Sequence, residues 1–252
     1  MVHRTLLVVP HHNDTTRLKP FLVELMRVLP NRFTILVSDD GSKNDETERL
    51  SALIKDCRWT VTPESHVPIL LEPIFHSKNT GKGGAVYRGW EESDGYSFVA
   101  FADADGAISA REILRAETYF LSDECKADAL FASRVKMLGR SIQRSLYRHL
   151  TGRVFATLVS EIGGIPAYDT QCGFKILKSE AYQKIRPYLK TLGFAFDVEL
   201  ALLLNKLGKR IIEFPIDWHD VPGSKVRMIR DSISMAMEVL KIRDRVRAID
   251  RA

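Results

Sequence analysis

An apolar run that closes on two carboxylates is the feature that most constrains this sequence. Residues 97–107 read SFVAFADADGA, so a strand-forming stretch ends at Asp103 and Asp105. Because residues two apart on an extended chain point the same way, we expect these two carboxylates to converge. A hard divalent cation takes such oxygen ligands and keeps positions for substrate phosphates. The stretch therefore predicts a Mg²⁺ or Mn²⁺ site that handles a nucleotide diphosphate, with an ordinary polar turn as the alternative.

Strands alternate with helices along the first half of the chain. Residues 5–9 and 33–37 are continuous apolar runs, and each is followed by apolar residues at helical spacing. Strands of this kind, alternating with helices, are typical of a parallel sheet covered on both faces. We therefore predict an α/β fold, with one large domain in residues 1–227. Residues 228–252 are predicted to form a C-terminal amphipathic basic helix.

Two stretches in the second half of the chain carry further predictions. Residues 175–177 follow the polar run DTQCGF and are predicted to form an edge strand, and residues 211–216 the last strand. Residues 141–162 repeat apolar side chains every fourth position beside several arginines, which predicts an amphipathic helix. Such a stripe either packs on the core or a homo-oligomer interface, or lies against a lipid surface. The C-terminal helix carries Met237 and Leu240 in its predicted apolar face.

Composition narrows the classes of partner and location. The chain has 252 residues, of which 45% are hydrophobic and 27% charged, as expected for a soluble globular protein. Its apolar runs fall short of the roughly 18 to 20 residues of a membrane span, and its first residues lack the pattern of a signal peptide. The 3 cysteines are odd in number, which indicates reduced thiols in the cytoplasm. A net charge of +5 favours an anionic partner: a nucleotide, a lipid phosphate or the inner face of a membrane.

Two acidic clusters are predicted at one edge of the sheet. Asp39 and Asp40 follow the second strand, and Asp103 and Asp105 follow the central one. Ligands of such sheets bind outside the carboxyl ends of the strands. One shared site therefore explains both clusters more economically than two unrelated turns.

A glycine-rich stretch lies between the two clusters. Residues 76–89 read HSKNTGKGGAVYRG, which matches neither a Walker loop nor a dinucleotide fingerprint. Glycines before a helix let the backbone approach an anion, and a helix N-terminus favours negative charge. Gly81 and Lys82 are accordingly predicted to contact a phosphate, with a flexible turn and a solvated lysine as the alternative.

The order of motifs resembles the family 2 glycosyltransferases. The motifs are VVPHHN, SDDGS, NTGKGGAVYRG, FADADGA, ASR, DTQCGFK, FAFDVEL and WHDVPGSKV, and they cover nearly the whole chain. They look most like the polyprenyl-phosphate branch, the dolichyl-phosphate mannose and glucose synthases, and within it the glucosyl subgroup. The resemblance implies a GT-A fold and inverting transfer of a hexose to a polyprenyl or dolichyl phosphate. It favours a UDP-hexose, glucose first, as donor and places GDP-mannose second, with no role for nucleic acid.

The resemblance also implies roles for single residues. Asp103 and Asp105 match the acids that hold Mg²⁺ or Mn²⁺ on the diphosphate, and Arg134 falls where the family keeps an arginine near phosphate. Ala107 departs from the mannosyl branch, which has a polar residue there that can assist the metal. The N-terminal anchor often present in the glucosyl branch is also missing from the sequence. The predicted donor-binding residues are Pro10, Asn13, Asp39, Asp40, Gly81, Lys82, Asp103, Asp105 and Lys225.

The acceptor decides whether a general base is needed. A lipid monophosphate has a second pKa of about 6, so it is mostly ionised at neutral pH and needs no strong base. A soluble or glycan hydroxyl would need one, and Asp169 is then the best candidate, ahead of Asp197 and Glu199. Capping of a helix N-terminus is the alternative for these last two acids. The predicted catalytic residues are Asp169, Asp105 and Arg134, and the predicted acceptor-side residues are Arg144, Arg148, Asp197 and Glu199.

Two other functions are compatible with parts of the pattern. A sugar nucleotidyltransferase also combines a parallel sheet with metal carboxylates, but we would expect a glycine-rich basic loop straight after its first strand. This chain has PHHND at residues 10–14. A non-catalytic nucleotide-sugar-binding module is the second alternative, because Ala107 is unable to assist a metal.

Overall fold

The structure is a computed structural model that describes residues 3–60, 66–135, 139, 141–143, 169–219, 221 and 228–249. Its strands are β1 (Thr5–His11), β2 (Phe33–Asp39), β3 (Ile69–Leu70), β4 (Ile74–Phe75), β5 (Phe98–Ala102), β6 (Ala129–Ser133), β7 (Ile142–Gln143), β8 (Phe174–Lys178), β9 (Ile211–Pro215) and β10 (Trp218–His219). Its helices are α1 (Thr15–Val28), α2 (Asn44–Thr60), α3 (Lys82–Trp90), α4 (Ala110–Phe120), α5 (Ser179–Ile185), α6 (Phe196–Lys206) and α7 (Met228–Arg247), and a 3-10 turn, Arg186–Tyr188, follows α5.

Within the described ranges, eight strands form one twisted sheet of mostly parallel strands. Its order is β3-β2-β1-β5-β8-β6-β9, and β4 also pairs with β2. Strand β8 runs antiparallel to both of its neighbours, β5 and β6, while the other pairs are parallel. A parallel strand can be reached only through a crossover, usually a helix, which is why strands and helices alternate along the chain. The predicted α/β fold is confirmed.

The sheet separates two apolar layers. Alternate residues of β1 enter different layers, Leu7 and Val9 on one face and Leu6 and Val8 on the other. Helices α1, α2 and α4 contribute to the first layer, and α3, α5, α6 and α7 contribute to the second. Helix α6 is buried along Phe196–Leu204, because the sheet lies on one side of it and α7 packs on it as well.

The prediction of an edge strand at residues 175–177 is wrong. These residues belong to β8, which lies in the interior of the sheet and is paired on both sides. Lys175 of this strand is fully buried, and Asp197 neutralises its ammonium inside the second layer. Because the two charges compensate each other, a lysine can lie in an interior strand, where we had expected an edge strand.

The predicted helix at residues 141–162 is wrong at its start. Ile142–Gln143 form β7, which pairs in parallel with β10, so residues 211–216 are not the last strand either. The backbone N of Trp218 donates a hydrogen bond to Ser141 O at 3.0 Å, which extends this short pairing. Residues 144–162 of the predicted helix, with Arg144 and Arg148, lie outside the described residues.

The C-terminal helix α7 is present and packs on the domain through a different face from the predicted one. Val239, Ile242 and Val246 are buried in the second layer, whereas Met237 and Leu240 are exposed. The separation of residues 228–252 as a unit of its own stays a prediction. Among the described residues, no helix has both the length and the apolar character needed to cross a bilayer.

Candidate active site

Both acidic clusters lie at the carboxyl edge of the sheet, as predicted. In the parallel register, His11 at the end of β1 lies beside Asp39 at the end of β2, and Val8 lies beside Phe101 of β5. Asp40 follows β2 directly and Asp103 follows β5 directly. The sheet therefore brings the two clusters to one surface.

Asp39 is a fully buried carboxylate held by donors at the ends of β1 and β2. Its Oδ1 lies 2.7 Å from His11 Nδ1, and its Oδ2 accepts a hydrogen bond from Ser42 N at 3.0 Å. Burial by itself raises the pKa of Asp39, but the hydrogen bonds from His11 and Ser42 outweigh it and hold the pKa below its usual value. Asp39 is therefore ionised and fixed in orientation.

The loop after β1 is tied to the loop after β2. Asn13 has a left-handed backbone, with φ of 50°, and its N donates to Ser42 Oγ at 2.8 Å. Its side-chain Oδ1 accepts from Lys43 N at 2.9 Å. Pro10 lies within β1 and is half-buried. The predicted donor contacts of Pro10 and Asn13 stay predictions, and the structure places both at the correct edge.

Asp40 fixes the loop that opens α3. Its Oδ1 accepts from Thr80 N at 2.7 Å and from Thr80 Oγ1 at 2.8 Å, and its Oδ2 accepts from Gly81 N at 2.8 Å. Both carboxylate oxygens are thus engaged by the protein itself. The predicted contact of Asp40 with the donor stays a prediction, and the observed contacts are structural.

The glycines of the same loop allow close packing against the segment that precedes α6. Gly81 has a φ of 101°, and a Cβ there would lie 2.5 Å from Leu192 O. A Cβ on Gly83 would lie 2.6 Å from Phe196 Cβ. Gly84 N donates to Leu192 O at 3.1 Å. These contacts require glycine for packing, so contact of Gly81 with a phosphate stays a prediction.

Asp103 and Asp105 lie in a turn and not on an extended strand, so the reasoning from strand alternation is wrong in its geometry. Strand β5 ends at Ala102, and Ala104 and Asp105 form the turn. Burial, and then the negative charge of Asp103, raise the pKa of Asp105. Asp105 Oδ1 accepts from Ala107 N at 3.0 Å, which holds the turn in shape.

Asp103 is positioned by neighbours from two other elements. Its N donates to Gly173 O at 2.9 Å, and a Cβ on Gly173 would lie 2.5 Å from Asp103 Oδ2. The ammonium Nζ of Lys82 lies 2.6 Å from Asp103 Oδ1. Among the described residues, this ion pair is the contact that Asp103 Oδ1, a buried oxygen, makes with a donor group. A glycine and a lysine thus define the space around this carboxylate.

A second ion pair lies beneath the acidic turn. Lys175 Nζ is 2.6 Å from Asp197 Oδ1, and both side chains are almost fully buried. Lys175 Nζ also donates to Cys172 O at 3.0 Å and lies 5.1 Å from the ring centroid of Phe101. Burial raises the pKa of Asp197, and the charges of Lys175 and Lys82 oppose that shift.

Arg134 and Asp169 form a two-pronged ion pair. Arg134 Nε donates to Asp169 Oδ2 and Arg134 Nη2 donates to Asp169 Oδ1, each at 2.7 Å. The backbone N of Arg134 adds a third bond to Oδ2 at 2.9 Å. The guanidinium also lies 5.6 Å from the ring centroid of Trp218. Burial lowers the pKa of Arg134, but the charge of Asp169 outweighs it and raises the pKa.

Glu199 joins the C-terminal helix to the body of the protein. It is fully buried and accepts from Tyr87 Oη, Lys190 N and Thr191 N at 3.2, 2.9 and 2.8 Å. It also accepts from Arg245 Nη2, which belongs to α7. Burial, followed by the charge of Glu199, raises the pKa of Tyr87 well above its ordinary value. Asp197 and Glu199 both lie in the first turn of α6, and both carboxylates bind side chains from other elements.

The sequence of the chain matches the description "Glycosyl transferase family 2" over residues 6–186. The chain belongs to glycosyl transferase family 2. Dolichyl-phosphate beta-glucosyltransferase of Saccharomyces cerevisiae is 34% identical, over 94% of this chain and 73% of the yeast protein. The protein of the same name from Dictyostelium discoideum is 31% identical, over 95% and 73% of the two chains.

A solved structure of this fold supports the architecture. Glucosyl-3-phosphoglycerate synthase from Mycobacterium tuberculosis, in complex with Mn²⁺, UDP and glucosyl-3-phosphoglycerate, superposes with a TM-score of 0.63. The match covers 98% of this chain and 81% of the other at 16% identity, which shows a shared GT-A fold. The family match and the yeast relative show that the chain is a glycosyltransferase, so the alternatives of a nucleotidyltransferase and a non-catalytic binding module are set aside.

The residues of this glycosyltransferase fit a hard divalent ion. Asp103 and Asp105 would supply oxygen ligands, and Mg²⁺ and Mn²⁺ commonly keep further positions for phosphate and water. No group of three or more His, Cys, Asp or Glu side chains converges in the part of the chain that the structure describes. The remaining ligands would thus come from a diphosphate and from water.

Two residues of this glycosyltransferase escaped prediction from sequence. Lys175 was assigned to an edge, and Gly173 was given no role beside Asp103. A lysine inside the apolar run FKILK was the available signal, because such a lysine requires a buried acid. Lys225, predicted to contact the donor, lies outside the described residues.

Replacing one partner of the Lys175–Asp197 pair should cost far more stability than replacing both. Lys175→Met leaves the buried carboxylate of Asp197 without its counter-charge, which we expect to cost about 3–5 kcal/mol of unfolding free energy. Lys175→Met combined with Asp197→Leu should stay within about 1 kcal/mol of the parent or exceed it, because no buried charge is left unpaired. Urea denaturation measures both. Arg88→Ala, in a half-exposed pair with Glu92, is the control and should cost under about 1 kcal/mol. Equal losses in the single and double variants would contradict this account.

Proposed function

We propose that this glycosyltransferase transfers glucose from UDP-glucose to a polyprenyl phosphate such as dolichyl phosphate, with inversion at the anomeric carbon and with the help of Mg²⁺ or Mn²⁺. The names of the two relatives above support this donor sugar and acceptor. The complex of the bacterial synthase with Mn²⁺ and UDP supports the metal and the nucleotide.

The state of the candidate general bases is the observation that carries the proposal. Each of the three acids is bound by a cation: Asp169 by Arg134, Asp197 by Lys175 and Glu199 by Arg245. For Asp169 and Asp197, accepting a proton from a hydroxyl would leave a largely buried cation, Arg134 or Lys175, without its counter-charge. A phosphate acceptor avoids this difficulty because it arrives already ionised. The arrangement favours a phosphate over a soluble or glycan hydroxyl as acceptor.

The reaction itself requires one bond to form and one to break. An oxygen of the acceptor phosphate bonds to the anomeric carbon from the face opposite the diphosphate, and the electron pair of the old bond leaves with UDP. Asp103 and Asp105 would hold the metal, which supplies positive charge to the leaving diphosphate. Lys82 adds an ammonium at the same place. Asp169 holds the guanidinium of Arg134 in one orientation, and Arg134 directly follows β6 at the same edge of the sheet.

Removal of either acid from the turn should abolish metal-dependent nucleotide binding. Asp103→Asn and Asp105→Asn keep the shape of the side chain but remove the negative charge that the cation needs. Isothermal calorimetry of UDP with Mn²⁺ is the measurement, with circular dichroism to confirm an intact fold. Asp94→Asn, at an exposed position before β5, is the matched control and should bind as the parent does. Parent-like binding by both turn variants would show that the metal is held elsewhere.

UDP-glucose and a short-chain polyprenyl phosphate should yield a glycolipid. We expect UDP-glucose to be used in preference to GDP-mannose, and the polyprenol without its phosphate to be inert because its hydroxyl requires a base. Thin-layer chromatography of labelled product measures both preferences. Tighter binding of GDP than of UDP would contradict the proposal that UDP-glucose is the donor. Efficient transfer to the polyprenol or to a soluble sugar would contradict the acceptor and return Asp169 to the role of general base.

We further propose a cytoplasmic protein that contacts the inner face of a membrane peripherally. Helix α7 exposes Met237 and Leu240, and its last turns carry Lys241, Arg243 and Arg247. Each basic residue contributes about 1 kcal/mol near an anionic leaflet, and salt screens the attraction.

Co-sedimentation with anionic liposomes should therefore be strong at low salt and weak at high salt. Absence of binding at both salt concentrations would contradict membrane contact, whereas a concentration-dependent dimer would favour a homo-oligomer interface.

A further inference from the structure

Lys82 holds a positive charge directly beside the proposed metal ligands. It is the first residue of α3, its side chain is 16% exposed, and its Nζ lies 2.6 Å from Asp103 Oδ1. The ring centroids of Phe101 and Phe196 lie 5.2 and 5.6 Å from the same nitrogen. The ammonium is therefore enclosed by two apolar rings and paired with a carboxylate.

The acids near Lys82 are not equally available to it. Asp197 is in contact with Lys175, 2.6 Å away, so its charge is already shared with another ammonium. Asp105 Oδ1 accepts a hydrogen bond from Ala107 N at 3.0 Å. Asp103 is thus the direct partner of Lys82. The oxygen that Lys82 contacts is buried, and within the described ranges Lys82 is its cationic partner.

We propose that Lys82 is an internal counter-cation that competes with the divalent ion for Asp103 until a nucleoside diphosphate arrives. This inference rests on the proposed function, because it takes Asp103 and Asp105 as the metal ligands. An ion that approaches Asp103 Oδ1 must displace the ammonium or lie beside it. Like charges at such separations repel strongly in a partly buried site, where screening by water is weak.

A diphosphate removes this conflict. Its negative oxygens can bind the metal and the ammonium together, and Lys82 already lies at the N-terminus of α3, where phosphate is favoured. Metal and nucleotide should therefore bind cooperatively, each tightening the other by the same factor. The ammonium would leave Asp103 for the diphosphate when both ligands are present. Without a nucleotide, the divalent ion would bind to the site weakly.

The test is Mn²⁺ binding, measured from the electron paramagnetic resonance signal of free Mn²⁺, with and without UDP. Titrations of UDP alone correct for Mn²⁺ bound by the nucleotide in solution. In the parent protein, UDP should tighten Mn²⁺ binding on the order of fivefold or more. Lys82→Met and Lys82→Gln should tighten Mn²⁺ binding to the nucleotide-free protein by a similar factor and reduce the further gain from UDP. Lys82→Arg keeps the charge and should behave as the parent.

Lys78→Met is the matched control, since it removes one positive charge at an exposed position of the preceding loop and should leave Mn²⁺ binding unchanged. Circular dichroism reports whether each variant folds, and the effect of UDP on the parent is decisive even if both neutral variants fail to fold. Unchanged Mn²⁺ affinity in folded Lys82→Met or Lys82→Gln, or no effect of UDP on the parent, overturns the competition. If UDP-dependent Mn²⁺ binding persists in that case and Asp103→Asn abolishes it, the proposed function stands. If no variant and no parent binds Mn²⁺ with UDP, the metal assignment fails together with the inference.

Discussion

The site depends on the antiparallel placement of β8 between β5 and β6. Because β8 runs against its neighbours, its first residues lie at the edge where β5 and β6 end. Asp103 N therefore reaches Gly173 O, and the chain just before β8 brings Asp169 to Arg134 at the end of β6. A parallel β8 would have carried these residues to the opposite edge. One reversal of strand direction thus assembles acids and bases from distant parts of the sequence.

Buried ion pairs hold this assembly in one arrangement. Replacing a buried pair by apolar residues is often neutral for stability, so Lys175 and Asp197 are not needed to make the core stable. Their placement beneath the acidic turn gives them another effect, because the charge of Asp197 reaches Lys82 and that of Lys175 reaches Asp197. The ammoniums of Lys82 and Lys175 also lie near the same ring, that of Phe101. The charge state of each of these groups therefore depends on its charged neighbours as well as on its exposure to solvent.

The sequence predicts the framework because buried parallel strands are continuous apolar runs, as in β1, β2 and β5. The convergence of Asp39 and Asp103 follows from that framework alone. Strand β8 was misassigned because the acid that neutralises Lys175 lies on another element and leaves no periodic signal. The turn at Asp105 was named only as the alternative, although the bond that holds it is local, since Asp105 Oδ1 accepts from Ala107 N two residues further on. The pairing of Arg134 with Asp169 depends on the sheet order.

Glu199 gives the C-terminal helix an influence that its position at the end of the chain would not indicate. Arg245 of α7 binds both Glu199 and Thr191 Oγ1, and Glu199 binds the backbone of Thr191. The next residue, Leu192, accepts from Gly84 N, two residues from Lys82. A continuous series of polar contacts therefore joins α7 to the start of α3, where the ammonium of Lys82 lies. A change in the tilt of α7, such as one imposed by a surface on which it rests, would be transmitted mechanically to the start of α3.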